Sequence, residues 1–252
     1  MNQMMGDLPQ SRVTPCVTFL HTGLDYAGPI MVRLGKGRGY QAQKAYIALF
    51  VCMVTRALHL ELVSDYTSNG FLSAFKRFVS RRGLPSNLYS DNGTNFQGAD
   101  RHLKQTFRNL SKNEEICNFI SQDNIKWSFI PPAAPHFEGL REAGVKSIKH
   151  HLRRMIGTHT FTIEEMSTLL CQVEACVNSR PLGPLSNDAN DLNYLTPGHF
   201  LIGRPLISVP EHTVLNLNES RLSRWQKVQC ITEQFWKRLS VEYQHTLQQR
   251  YK

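Results

Sequence analysis

The chain has 252 residues and a formal charge of +9, with 29 Lys and Arg against 20 Asp and Glu. That length buries a sizeable core in one large domain or a domain with an appendage, and the basic excess favours a polyanionic partner, most commonly nucleic acid. The longest apolar run, Ala45 to Val54, is too short to span a bilayer, the first residues lack the apolar stretch of a secretory leader, and six scattered cysteines suit buried reduced thiols.

Residues 1–15 are polar, carry Pro9 and Pro15, and read as an arm. Val17 to Leu24 predicts a first strand ending at Asp25, just before Gly28-Pro29. Gly35 to Gly39 is a basic glycine-rich turn with Lys36 and Arg38. It has neither a following helix nor a Lys-Ser/Thr pair, so it is a hairpin tip rather than a nucleotide-phosphate loop. Ala45 to Val54 is rich in β-formers, as in a strand covered on both faces. Ala57 to Val63 alternates, placing Leu58, Leu60 and Leu62 on one side and His59 and Glu61 on a wetter one, where a lone His59 is expected as an exposed side chain and not a ligand. Thr67 or Ser68 caps a helix whose core face is Phe71, Phe75, Phe78 and Val79, closed by Gly83 and Pro85. Lys76, Arg77, Arg81 and Arg82 crowd its last turns, which suits the helix dipole and a phosphate backbone alike.

Asn87 to Tyr89 predicts a short central strand that delivers Asp91 to the turn dipeptide Asn92-Gly93. Small polar neighbours leave room around Asp91 for a metal ion or a bulky anion, although on its own Asp91-Asn92-Gly93 is equally an ordinary strand-capping turn. Helices follow at about 99–110 and 114–122, then a strand at 125–130 with Trp127 and Phe129 on one face. Pro131 to Gly139, with three prolines, is irregular. From Glu138 to Met155, Leu140, Val145, Ile148, Leu152 and Met155 share one side of a helix, and Glu142, Lys146, Lys149 and Arg153 form a separate stripe. Spacing alone leaves that stripe open between a solvated Glu–Lys face and a functional one. A helix over Ile163 to Asn178 opens with Glu164 and Glu165, Leu195 to Leu206 is loop-like, and 221–249 is helical, basic and contains Trp225 and Trp236. Strands interleaved with helices in this order predict a mixed α/β fold.

Asp25, Asp91 in SDNGTNF and Glu142 in the Gly139-Leu140-Arg141-Glu142 helix start resemble the Asp, Asp, Glu set of retroviral and retrotransposon integrases. The runs DLPQSRV, DYAGP, KAYIALFVC, RALHLELV, RFVSRRGLPS, APHFEGLREAGVKSIKHHL and LTPGHFLIGRPL resemble the BEL/Pao branch of LTR retrotransposons in particular, over about residues 6–206. The resemblance implies a ribonuclease-H-like fold: a mixed five-stranded sheet flanked by helices, plus a helical basic C-terminal tail. It divides the chain into an arm (1–15), a catalytic core (16–206) and a C-terminal segment (207–252) that stops before its family counterpart is complete. It implies a polynucleotidyl transferase carrying out DNA 3′-end processing and strand transfer, with Asp25, Asp91 and Glu142 as catalytic residues and as ligands of two Mg²⁺ or Mn²⁺ ions. Asp25 and Asp91 would hold one ion, Asp25 and Glu142 the other. Carboxylate oxygens suit such hard cations, and three converging carboxylates would repel without one.

Lys146 and Lys149 match the two lysines with which retroviral integrases hold the viral DNA end, and Arg153, His136, Asn92 and Asn95 complete the expected DNA contacts. A homo-oligomer acting on DNA in the nucleus, with no membrane partner, follows from the same resemblance. The family's His/His/Cys/Cys zinc module has no counterpart here, so no zinc site is expected and the chain is expected to begin after it. Glu138 stands where the family usually has glycine and Arg141 where it has tryptophan. These departures keep open a catalytically impaired or domesticated nucleic-acid-binding fragment, and a nuclease acting on RNA–DNA hybrid is a third reading.

Overall fold

In the computed structural model, which describes residues 14–37, 39–90, 96–102, 125–129, 148–157, 159–186, 188 and 193–248, the chain is built on a mixed sheet. Three antiparallel strands come first: β1 (His21–Arg33), β2 (Ala42–Cys52) and β3 (Leu58–Val63). Helix α1 (Ser68–Arg82) returns the chain so that β4 (Asn87–Ser90) and β5 (Lys126–Phe129) add parallel on the other side of β1. The order is β3-β2-β1-β4-β5, and a two-residue β6 (Phe161–Thr162) pairs with the far end of β1. Residues 96–102 form α2 and 148–156 form α3, followed by α4 (Ile163–Asn178), a small pair β7 (Gly183–Pro184) and β8 (Tyr194–Leu195), α5 (Pro197–Ile202) and α6 (Arg224–Gln248). This is the expected α/β class, with the strand order and directions of a ribonuclease-H-like sheet.

Strand β2 is covered on both faces. Ala45, Ile47 and Leu49 enter a core with Leu152, Leu169 and Val173, whereas Ala48, Phe50 and Cys52 enter another with Phe71, Phe75 and Phe78. Val228, Ile231 and Phe235 of α6 belong to the first core, so the C-terminal helix packs on α4. Helix α1 begins and ends as its sequence predicts: Thr67 accepts the Gly70 N–H, and Gly83 closes it at φ 88.

Strand β1 departs from expectation. Val17–Leu20 is a turn, with the Leu20 N–H donating to Val17 O at 3.0 Å and Phe19 buried at φ 67, and the strand begins only at His21. It then passes through Gly28-Pro29, so Asp25 is interior to the strand and not at its end. The pairing with β2 slips between Ala27 and Ile30. Pro29, which has no N–H to offer a ladder, falls in that bulge, and Gly28 takes φ 130, a conformation open to glycine. Leu195–Leu206 is likewise not all loop. Pro197 at the first helical position and Gly203 at φ 74 bound the short α5.

The expected wet face of β3 is also corrected, since His59 and Glu61 are only 1% and 5% exposed. Helix α1 covers them and brings guanidinium groups: Arg77 Nε and Arg81 Nη1 lie 2.6 and 3.0 Å from Glu61, and Arg82 Nη2 lies 2.5 Å from Glu174 of α4. His59 bridges the two acids, with Nε2 3.0 Å from Glu61 and Nδ1 3.2 Å from Glu174. Burial works against the imidazolium, but the hydrogen bonds to Glu174 and Glu61 outweigh it and raise the His59 pKa. Burial likewise opposes charge on Glu61, and its bonds to His59 and Arg77 outweigh that and lower its pKa. Alternation correctly placed these side chains opposite the leucines, but periodicity alone carries no information about what covers a face.

The same groups cover the edge of the sheet. Strand β3 is terminal in the sheet, and unpaired strand edges invite aggregation. Here Asn178 Oδ1 accepts the Leu58 N–H and its Nδ2 donates to Leu58 O, both at 2.8 Å. Glu174 accepts the Leu60 N–H at 2.9 Å, and Arg77 donates to Leu62 O at 2.8 Å.

At the opposite end of α4, Thr162 and Glu165 form a capping box, and Arg224 of α6 grips the Glu165 carboxylate at 2.8 and 2.6 Å. The Arg224 guanidinium holds the Glu165 carboxyl down at about 2, against an ordinary 4.5. A depressed carboxyl pKa contributes stability above the unfolded value that is lost as pH falls through the folded one. Arg224→Met is therefore expected to be less stable than the parent chain at neutral pH and to lose less on acidification, so that the two stability curves converge as pH falls through the window from about 4.5 to about 2. Curves that superimpose at neutral pH as well would contradict this role.

Candidate active site

Asp25 is the described member of the expected acidic set. It lies opposite Leu49 of β2, two residues beyond the Gly23–Tyr89 pairing with β4. Strand β4 ends at Ser90, the residue before Asp91 in the chain. The sheet therefore brings the Asp25 segment and the end of the strand preceding Asp91 to neighbouring positions. Ser90 is buried, and its Oγ accepts the Trp127 Nε1–H at 2.9 Å, tying the ends of β4 and β5 together. Next to Asp25, the Tyr26 ring packs against Phe96 of α2 at 5.4 Å and Tyr66 at 5.0 Å. Gly98 of α2 lies so close to α1 that an added Cβ would meet Ser68 Oγ at 2.0 Å.

The Asp25 carboxylate is three-quarters buried and split between two partners. Oδ1 accepts the Tyr26 N–H at 2.7 Å, and Oδ2 lies 2.5 Å from Lys149 Nζ of α3. Helix α3 is anchored by Ile148, Leu152, Met155 and Ile156 in the core and by a His151–Glu242 contact to α6. With that face turned inward, Lys149 reaches the sheet and Arg153, one turn later, is exposed. Of the predicted Lys149–Arg153 stripe, one residue thus meets Asp25 and the other faces solvent. Asp91, Asn92, Asn95, His136, Glu142 and Lys146 lie outside the described residues, as does the whole segment from Pro131 to Gly139.

No family model matches the chain, and no curated protein matches it. Solved structures do. The simian T-cell lymphotropic virus intasome in complex with PP2A regulatory subunit B56 gamma is similar at a TM-score of 0.43 and 13% identity, over 86% of this chain and 67% of that one. The HTLV-2 integrase catalytic core domain in complex with magnesium, in trimeric and dimeric forms, is similar at a TM-score of 0.38 with 14% and 15% identity, over 73% of this chain and 97% of each.

Chemically, Asp25 suits a hard divalent cation. It is an anionic oxygen donor, partly shielded from water, held by one backbone bond and already facing a positive group. Among the described residues no three His, Cys, Asp or Glu side chains gather as a metal site. Sequence reading missed Glu174, Asn178 and His151 as organising residues. Their signal was polar side chains on the inward faces of α4 and α3, with Glu174 and Asn178 at i, i+4.

Proposed function

We propose that this chain is the catalytic core of a BEL/Pao-type retrotransposon integrase, a metal-dependent polynucleotidyl transferase that processes DNA 3′ ends and transfers strands. The observation that supports it most is Asp25. It is a partly buried carboxylate in the central strand, beside the strand that leads to Asp91, with a cationic side chain on its outer oxygen. Asp25, Asp91 and Glu142 would hold two Mg²⁺ or Mn²⁺ ions, which when bound offset charge on the scissile phosphate and activate the attacking oxygen.

The chain's own groups prepare this site. The Tyr26 N–H fixes one oxygen of Asp25, and Lys149 balances its charge. A partly exposed ion pair of this kind contributes only about 0–1 kcal/mol, so Lys149 can leave Asp25 for a DNA phosphate at little cost. Arg153 extends the same face toward the phosphate backbone, and Asn92, Asn95, His136 and Lys146 are assigned to DNA on motif grounds. The division into a core at 16–206 and a C-terminal helical segment, assembly as a homo-oligomer and a nuclear location belong to the same proposal.

Incubation with Mg²⁺ or Mn²⁺ on element-end DNA and on RNA–DNA hybrid tests it. Nicking and joining of DNA supports an integrase, hybrid cleavage alone a ribonuclease-H-type nuclease, and binding without cleavage a domesticated fragment. Lys149→Gln is expected to weaken DNA binding uniformly across sequences, with the salt slope falling by about one. It is also expected to lower the Mg²⁺ concentration for half-maximal activity, because no ammonium then competes for Asp25 Oδ2. Unchanged salt slope and metal requirement would remove Lys149 from this role.

A further inference from the structure

At the far end of β1, about 25 Å along the strand from Asp25, a cavity of about 220 Å³ is lined by Arg33, His159, Thr160, Phe161, Arg224 and Lys227. Its positive charge is only partly balanced. Arg224 is matched by Glu165, while Arg33 and Lys227 have no ion-pair partner among the described residues. The Nε of Arg33 is buried with no hydrogen-bond acceptor, so this guanidinium is desolvated on one side without compensation.

The first turn of α6 adds to the imbalance. It places Arg224 and Lys227 at the positive end of a 25-residue helix, with no acidic residue in that turn. Cations there are disfavoured, and an anion is favoured. An unpaired buried donor, two uncompensated cations and a helix N-terminus all ask for the same ligand. We propose that this cavity is an oxyanion site that takes one tetrahedral phosphate group, received either as a free phosphate ion or as a phosphodiester of nucleic acid. The Arg33 guanidinium and Lys227 Nζ supply its donors. Arg224 stays committed to Glu165 and shapes the wall.

The site does not depend on cleavage chemistry, so its test is separate from that of the proposed function. Thermal unfolding of the full chain is followed in sodium phosphate against sodium chloride at matched ionic strength, for the parent and for Arg33→Gln, Lys227→Gln and the double variant. A free-phosphate site predicts a saturable rise in Tm with phosphate in the parent that each single variant weakens and the double variant abolishes. Lys227→Gln, at a half-buried helical position, keeps the test interpretable if Arg33→Gln fails to fold. In parallel, duplex binding is measured against salt. A phosphodiester in the site predicts a salt slope smaller by about one in the double variant, or in Lys227→Gln alone. Phosphate no better than chloride, together with an unchanged salt slope, overturns the proposal.

Discussion

Asp25→Asn is expected to abolish Mg²⁺-dependent nicking and strand transfer while leaving the fold intact. The amide oxygen still accepts the Tyr26 N–H, so the local backbone bond survives the change. What is lost is the negative charge that the metal-ligand role requires. Lewis-acid stabilisation of this type supplies several kcal/mol, and at about 1.4 kcal/mol per tenfold the loss is on the order of a thousandfold or more in rate. Circular dichroism and Tm close to the parent values would assign the loss to chemistry. Activity within a few-fold of the parent would take Asp25 out of the reaction, whatever the motif similarity. Asp91→Asn, made beside it, is expected to be as inactive.

The largest stability effect is expected at Glu174→Ala. One carboxylate there accepts the Leu60 N–H, the Arg82 guanidinium and a His59 contact, at a side chain only 11% exposed. Removing it strands a buried strand N–H, takes the carboxylate from the Arg82 guanidinium, and leaves His59 with Glu61 alone. Breaking a buried ionic network of this kind costs about 3–5 kcal/mol, a large share of the 5–15 kcal/mol typical of a folded domain. For a chain of this size that is a Tm lower by on the order of 10 °C. Glu174→Gln, which keeps an oxygen for the Leu60 N–H, should lose less. Because Glu174 and Asn178 also cover the β3 edge, the alanine variant is expected to aggregate on heating at lower temperature than the parent. Equal Tm values for parent and Glu174→Ala would show that the network is not structurally required.

Regular local patterns were legible in the sequence. The aromatic stripe Phe71, Phe75, Phe78 with Thr67 before it and Gly83 after it gives α1, the acidic first turn gives α4, and the β-former run gives β2. Features that depend on tertiary covering were not. Nothing local to β3 says that α1 will lie over His59 and Glu61, so the same alternation fits a wet face and a buried ionic one. The β1 boundary was misread because Gly28-Pro29 normally ends a strand, and only the slip in pairing with β2 lets the strand continue. At the candidate site, only the motif singles out Asp25 in the sequence. That Lys149 turns to Asp25 depends on how α3 docks through Ile148, Leu152 and His151, which no spacing rule reports. The oxyanion cavity unites residues from β1, β6 and α6 that are separated widely in the chain, so it left no motif.

A crystal structure of the chain soaked with Mn²⁺, read by anomalous scattering, tests the account most directly. The expected result is metal within about 2.0–2.2 Å of an Asp25 carboxylate oxygen, with Asp91 and Glu142 completing the ligand set and Lys149 displaced from Oδ2. Anomalous density absent from Asp25, or Asp91 and Glu142 directed away from it, would contradict the account.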